Sequence, residues 1–326
     1  MSVSILTSCG KDNEDKQIIL TTGFEDDEIF FIGDNKCYMP EARVYIRALQ
    51  TGYSDKYGPE FLNRQLGELQ VSDKLIGLAL SRLAQVKAMD LLAVERGLSL
   101  TEREEEKCLQ AAERYMRSLS DEDRRDLDVD QDTVLGMFED YALAAKVYDD
   151  ITKDINPEIS DDEARTITVQ IATVTDPDQN KAMQIANTIF SRVSDGENID
   201  AVSDEFAEAE TAKHTFGKDT TEFSPDFVEQ CFNLSTDQIS SPMVMNGKVY
   251  LVKCLSSFNR EETDANKIRI VTERKSEAFD QIYQEYVKGL YAAFNDKLWD
   301  DQMFLDRTLD SKDDFFRIYD DVFAIL

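Results

Sequence analysis

A chain of 326 residues exceeds what one ordinary hydrophobic core holds and predicts two or three domains. Its formal net charge of -30, from 66 acidic against 36 basic residues, repels phosphate backbones and anionic headgroups, and no basic stripe offsets it, which argues against nucleic-acid binding and a purely electrostatic membrane grip. A hydrophobic fraction of 42% excludes global disorder, and no apolar run approaches the ~20 residues that span a bilayer.

At the N-terminus, Leu6-Thr7-Ser8-Cys9-Gly10 looks like a bacterial lipobox, in which small residues open the bond before a cysteine that then carries lipid. Residues 1–9 read as the remnant of a signal segment with Cys9 as its lipidation site. Residues 10–24, beginning Gly10-Lys11-Asp12-Asn13-Glu14, read as a solvated tether. A secretion signal needs a basic start and about 7–15 apolar residues, so further chain is expected upstream of Met1. Cys37, Cys108, Cys231 and Cys254 are scattered without a Cys-x-x-Cys spacing, which points to buried thiols rather than a zinc site; any disulfide pairing among them is open.

Residues 17–22 and 28–32 are apolar and β-branched and predict short strands. Pro40 opens a helix to about Leu49. From Ser72, the recurrence of Leu75, Leu78, Leu83, Val86, Met89 and Leu92 predicts a long helix ending near Gly97. Thr101-x-x-Glu104 is a capping box for a helix to about Met116. Asp132 is placed to cap a helix over 133–151 with Met137, Tyr141, Ala144 and Val147 inward. The spacing Asp128-x-Asp130-x-Asp132 with Glu139 has the outline of a calcium loop, but Thr133 stands where that loop needs glycine, so a helix cap explains the acids better and no metal is expected.

Asn156-Pro157 breaks the helical run, and the period then changes. Residues 166–175 predict a strand and 178–193 an amphipathic helix, followed by a shorter helix over 199–208. A polar loop to Lys218 holds His214, the one histidine of the chain. A short helix follows at 225–232, then strands at 243–245 and 249–254 around the turn Asn246-Gly247. Beyond Phe258, residues 268–288 and 290–299 predict long helices and 315–326 an aromatic-rich terminus. The order is helical, then α+β, then helical, as if the middle block were inserted.

Within that block, Phe216-Gly217-Lys218, Ser224-Pro225-Asp226-Phe227, Phe232-Asn233-Leu234, Ile239-Ser240-Ser241-Pro242 and Leu251-Val252-Lys253 succeed one another so that residues 165–258 resemble the parvulin prolyl isomerase domain. The whole layout resembles the PrsA and SurA foldases. This resemblance implies an α+β, mostly α fold: a split helical chaperone-like domain with an inserted parvulin-like domain. The N-terminal helical domain would cover 25–158, the parvulin-like domain 159–258, and C-terminal helices over 259–326 would pack on the first. It further implies an extracytoplasmic protein, anchored to the membrane by lipid on Cys9, that binds unfolded or partly folded secreted polypeptides and X-Pro segments without a cofactor.

Rotation about an X-Pro bond meets a barrier of roughly 18–20 kcal/mol from amide resonance. Parvulins resemble one another in lowering it with two facing histidines, a nearby Asp or Cys, and an apolar Met/Phe pocket. Matched through Asp176, the first histidine position falls on Ile171; matched through Leu251-Val252-Lys253, the second falls on Tyr250. The Asp/Cys position falls near Glu208 or Ala209. Phe223 stands where Met is usual and Phe227 where Phe is usual, so Phe223, Phe227 and Tyr250 are the candidate substrate pocket, although helical spacing reads Phe223 and Phe227 equally well as core. No catalytic residue is intact. Three readings follow: a chaperone whose isomerase activity is weak or lost, an active isomerase with an atypical site at Tyr250 and Phe227, or a non-catalytic surface scaffold.

Overall fold

The computed structural model describes residues 23–299 and 313–324. The expected lipidation site Cys9, the tether up to residue 22 and the expected strand at 17–22 lie outside the described residues. The chain divides into two compact units, one formed by Met1–Lys153 with Phe279–Leu326 and the other by Asp154–Ala278, so the second is inserted between the two segments of the first.

In the first unit, β1 (Glu28–Ile32) and β2 (Asn35–Tyr38) form an antiparallel hairpin that leads into α1 (Met39–Tyr57). Pro40 sits in the first turn, where no N–H is needed, and the Glu41 carboxylate accepts the Tyr38 N–H at 3.2 Å. The helix runs past the expected end at Leu49 because Thr51 is buried and Tyr53, Tyr57 and Phe61 stack along its second half; it stops at Gly58-Pro59. A small hairpin, β3 (Gln65–Leu66) and β4 (Leu69–Gln70), precedes α2 (Val71–Arg96), which ends at Gly97 in the left-handed region, φ +66°.

The box at Thr101 and Glu104 opens α3 (Glu102–Ser118), with the Thr101 N–H 2.7 Å from the Glu104 carboxylate. Then comes α4 (Asp121–Leu127), a turn the apolar pattern does not reveal but Ser120 and Asp123 cap reciprocally. The next helix, α5 (Gln131–Thr152), is capped by Asp130 rather than Asp132: the Asp130 carboxylate accepts the Thr133 N–H at 2.8 Å.

The inserted unit contains β5 (Thr166–Val174), α6 (Gln179–Ser194), α7 (Ile199–Ser203), β6 (Ala209–Gly217), α8 (Pro225–Phe232), β7 (Met243–Met245), β8 (Lys248–Ser256) and the first part of α9 (Arg260–Val287). The strands form one antiparallel sheet in the order β6-β5-β8-β7. One face, carrying Ala172, Val174, Val249 and Leu251, packs on Ile185, Ile189 and Val202 of the two helices α6 and α7. The other face carries Ile167, Val169, Ile171, Val252 and Cys254 and is partly covered by α8. Asn246 and Gly247, both at positive φ, close the β7–β8 hairpin as their sequence demands.

Two expectations are corrected here. The polar stretch before Lys218 is not a loop: Ala209–Gly217 is an edge strand paired along its length with β5, and its solvent exposure explains its polarity. Residues 290–299 are not one helix, because Ala292–Phe294 forms β9, which pairs with β1, before the single turn α10 (Asp296–Trp299). The terminal helix α11 (Phe315–Phe323) buries Phe315 among Tyr45, Tyr115 and Phe138, stacked on Phe138 with centroids 4.2 Å apart. Among the described residues no helix is long and apolar enough to cross a membrane, and no group of three or more His, Cys, Asp or Glu side chains is placed to hold a metal.

Candidate functional site

In an antiparallel ladder, directly paired residues share a face and alternate residues repeat it. Ile171 pairs with Val252 and Thr173 with Tyr250, so Ile171 and Tyr250 lie on one face of the sheet as diagonal neighbours, about 7–8 Å apart by strand geometry. Met243 pairs with Tyr250 and extends the same row. Over this face α8 lays Phe227, whose N-terminal capping by Ser224 fixes the turn that also carries Phe223. The aromatic rings form a chain: Phe223 to Phe227 at 5.0 Å, then Phe227 to Tyr250 edge-on at 5.7 Å.

Depth separates these residues. Phe227 is fully buried and Ile171 is 3% exposed, so both belong to the floor, whereas Phe223 and Tyr250 are half-buried and border the open surface. The Ser224 hydroxyl lies 3.9 Å from the Met245 sulfur at the rim. At Ile171 and Tyr250, the positions that the parvulin resemblance assigns to the histidines, this candidate cleft presents one aliphatic side chain and one phenol, which donates or accepts a single hydrogen bond.

His214 is on a strand, not in a loop. It pairs with Val169 and so projects onto the cleft face, with its ring edge-on to Phe223 at 5.1 Å and Nδ1 2.9 Å from the Glu222 carboxylate. It sits two strands from Tyr250 and four residues along the sheet, a separation of roughly 10 Å by 13 Å, too far for both to touch one peptide bond. Glu208 and Ala209 also miss the cleft. The Glu208 carboxylate is 2.6 Å from Lys181, whose hydrogen bond holds its pKa down, and Ala209 packs on the helix-covered face.

The thiols nearest the cleft are inert. Burial, with a lesser contribution from Cys254, pushes the Cys231 thiol up to about 12, and burial likewise raises Cys254. All four cysteines described are free and buried.

A second concave surface belongs to the first unit. A groove of about 540 Å³ runs between α1 and α11, lined by Tyr53, Tyr57, Phe316, Lys56, Arg317 and Asp320. Its two walls are separated by most of the chain, so no local pattern marks the groove, and the one sequence feature that points toward it is the aromatic density of residues 315–323.

No protein-family model matches the sequence, and no curated protein matches it. The solved structures similar to it include PrsA foldases and SurA-like chaperones. The PrsA structure from Bacillus cereus is 14% identical over 80% of this chain and 97% of that one, with a TM-score of 0.34. PrsA from Bacillus subtilis is 15% identical over 64% and 81%, with a TM-score of 0.24. A structure from work on SurA-like chaperones of Campylobacter jejuni is 10% identical over 82% and 98%, with a TM-score of 0.28.

Proposed function

We propose that this chain is a foldase-type chaperone whose inserted unit is parvulin-like, grips extended proline-containing polypeptide on its aromatic sheet face, and turns over the X-Pro bond weakly or not at all. One observation carries the reading: Ile171 and Tyr250, the positions matching the family histidines, share a face beside Phe223 and Phe227, and neither bears an imidazole. The apolar grip is retained while the polar groups that would act on the twisted amide are absent, and losing such positioned groups costs orders of magnitude in rate.

The clients are unfolded secreted polypeptides, met outside the cytoplasm, with the lipobox-like Leu6–Gly10 segment tethering the protein to the membrane through lipid on Cys9. The helical unit adds the α1–α11 groove, part aromatic and part charged, as a second contact for the same chains. In this reading an N-terminal helical domain is interrupted by an isomerase-like domain and completed by returning C-terminal helices, and each of the two units carries a surface of its own for clients.

Two assays decide the matter. Purified protein should suppress aggregation of an unfolded client at near-stoichiometric amounts, and should leave a proline-limited peptide isomerisation at its background rate. No suppression with any unfolded client refutes the chaperone reading. Acceleration of isomerisation that is lost on Tyr250→Phe establishes an active enzyme with an atypical site instead.

A further inference from the structure

Antiparallel sheets ordinarily defend their edges, because unpaired main-chain donors and acceptors template the addition of another strand. One edge of this sheet is defended. The strand β7 has three residues, and beyond it the segment 237–240 covers β8: the Ser240 N–H donates to the Val252 carbonyl at 2.8 Å and the Cys254 N–H to the Gln238 carbonyl at 2.9 Å. The opposite edge is not. There β6 runs nine residues without a proline and without a bulge in its register against β5.

Which groups face outward follows from one hydrogen bond. The Thr175 N–H donates to the Glu208 carbonyl at 2.8 Å, continuing the register in which Thr173 meets Glu210. By the two-residue alternation, Glu210, Ala212, His214 and Phe216 turn their main-chain groups in toward β5, and Thr211, Lys213 and Thr215 turn theirs out. Among the described residues nothing hydrogen-bonds to those outward groups. Glu210, Ala212, Lys213 and Thr215 are exposed, so no helix or loop of this unit covers the edge.

We propose that β6 is a strand acceptor: a segment of extended, unfolded polypeptide pairs with Thr211, Lys213 and Thr215 as a fifth strand of the inserted sheet. This rests on the chaperone reading above and names how the client is held. A main-chain edge selects for extended backbone whatever its sequence, which is the property a binder of varied clients needs. A second copy of this chain is the poorer occupant, since two molecules of charge -30 repel. The edge is also continuous with the cleft. Side chains of the added strand opposite Ala212 and His214 fall on the face that carries Ile171, Phe223 and Tyr250.

The test uses the full chain, a proline-free peptide of alternating Val and Lys, and a twin of the same sequence N-methylated at alternate residues to block one edge. Amide exchange at Thr211, Lys213 and Thr215 should slow on adding the peptide while inward amides stay unchanged, and the twin should bind at least ~10-fold more weakly. Lys213→Pro removes an outward N–H and leaves the ladder to β5 intact, so it should weaken the peptide at least ~10-fold without affecting an X-Pro peptide at the cleft. The twin arm needs no variant and stands if Lys213→Pro does not fold. Equal binding of peptide and twin, or unchanged exchange at the three amides, overturns the proposal while an X-Pro peptide that still binds preserves the chaperone reading. Protection of those amides in protein alone, with doubling of its mass in solution, gives the edge to a second copy and also overturns it. Failure of both peptides to bind removes both claims.

Discussion

Three carboxylates crowd one lysine where α1, α2 and α5 meet. Lys87 Nζ lies 2.8 Å from Glu41 Oε2 and 2.7 Å from Asp140 Oδ2, and Asp90, one turn along α2, is buried beside them with Oδ1 unpartnered. Burial first, and then the charge of Asp140, pushes Asp90 up to about 9; burial also raises Glu41. Burial opposes the charge on Lys87, yet Glu41 and Asp140 hold its pKa above the usual range. The folded state thus binds the Asp90 proton more tightly than the unfolded chain does. That contribution is full below the ordinary carboxylate pKa of about 4 and drains away as pH rises toward about 9. Asp90→Asn imitates the protonated form, so its denaturant midpoint should fall less steeply than the wild type's across that window. An unchanged slope would locate the proton elsewhere. Lys87→Met leaves the buried Glu41 and the half-buried Asp140 without their cation and should cost about 3 kcal/mol at neutral pH.

The aromatic pair of the cleft makes a second residue-scale prediction. Phe227 is fully buried, so Phe227→Ala should cost about 3–5 kcal/mol in the inserted unit, measured by denaturant unfolding. Phe223, at the open rim, should lose client binding on Phe223→Ala with little change in stability. The sequence singles out Phe223 and Phe227 around the Ser224-Pro225-Asp226-Phe227 motif as pocket or core alike, and their depths were not legible in it. Depth is set by Tyr250, Val252 and Cys254, which arrive from a strand later in the chain. The buried acids escaped for the same reason: Asp90 falls between Met89 and Leu92 in a helical pattern, and nothing local tells that α5 will bring Asp140 beside it.

At the scale of elements, chemistry confined to a few neighbouring residues was readable and chemistry spread across the chain was not. The capping box at Thr101, the glycine stop at Gly97 and the Asn246-Gly247 hairpin stand where the sequence puts them, each fixed by contacts within four residues. The edge strand β6 was hidden by its polarity, and β9 by its helical neighbours, because each becomes a strand only through pairing with a distant partner, Thr166–Val174 and Glu28–Ile32 respectively. The displaced cap on α5 lends itself to a direct check. Asp130→Ala removes the acceptor of the Thr133 N–H and should cost ~1 kcal/mol, whereas Asp132→Ala, at the exposed second helical position, should fall within about 0.5 kcal/mol of wild type. A larger loss at Asp132 than at Asp130 would restore the sequence-based assignment.

At the scale of the molecule, the helical unit is assembled from chain ends that the insertion separates. Phe30 in β1 pairs with Phe294 in β9, and Phe315 fills the space among Tyr45, Tyr115, Phe138 and Tyr141. The core of the first unit is therefore incomplete until residues beyond 278 are present, while the sheet of the second is closed within Asp154–Ala278. Two units with separate cores should unfold in separable steps, so a single two-state treatment fails for the whole chain. Phe315→Ala, which opens a cavity in the first unit's aromatic cluster, should cost about 3–5 kcal/mol there and move one denaturation transition. Near-ultraviolet circular dichroism reports chiefly on the helical unit's denser aromatics, and exchange of the β5 amides reports on the inserted sheet. The first should shift on Phe315→Ala and the second hold its place; movement of both together would mean that the two cores melt as one cooperative body and that the insertion contributes to the frame that carries it.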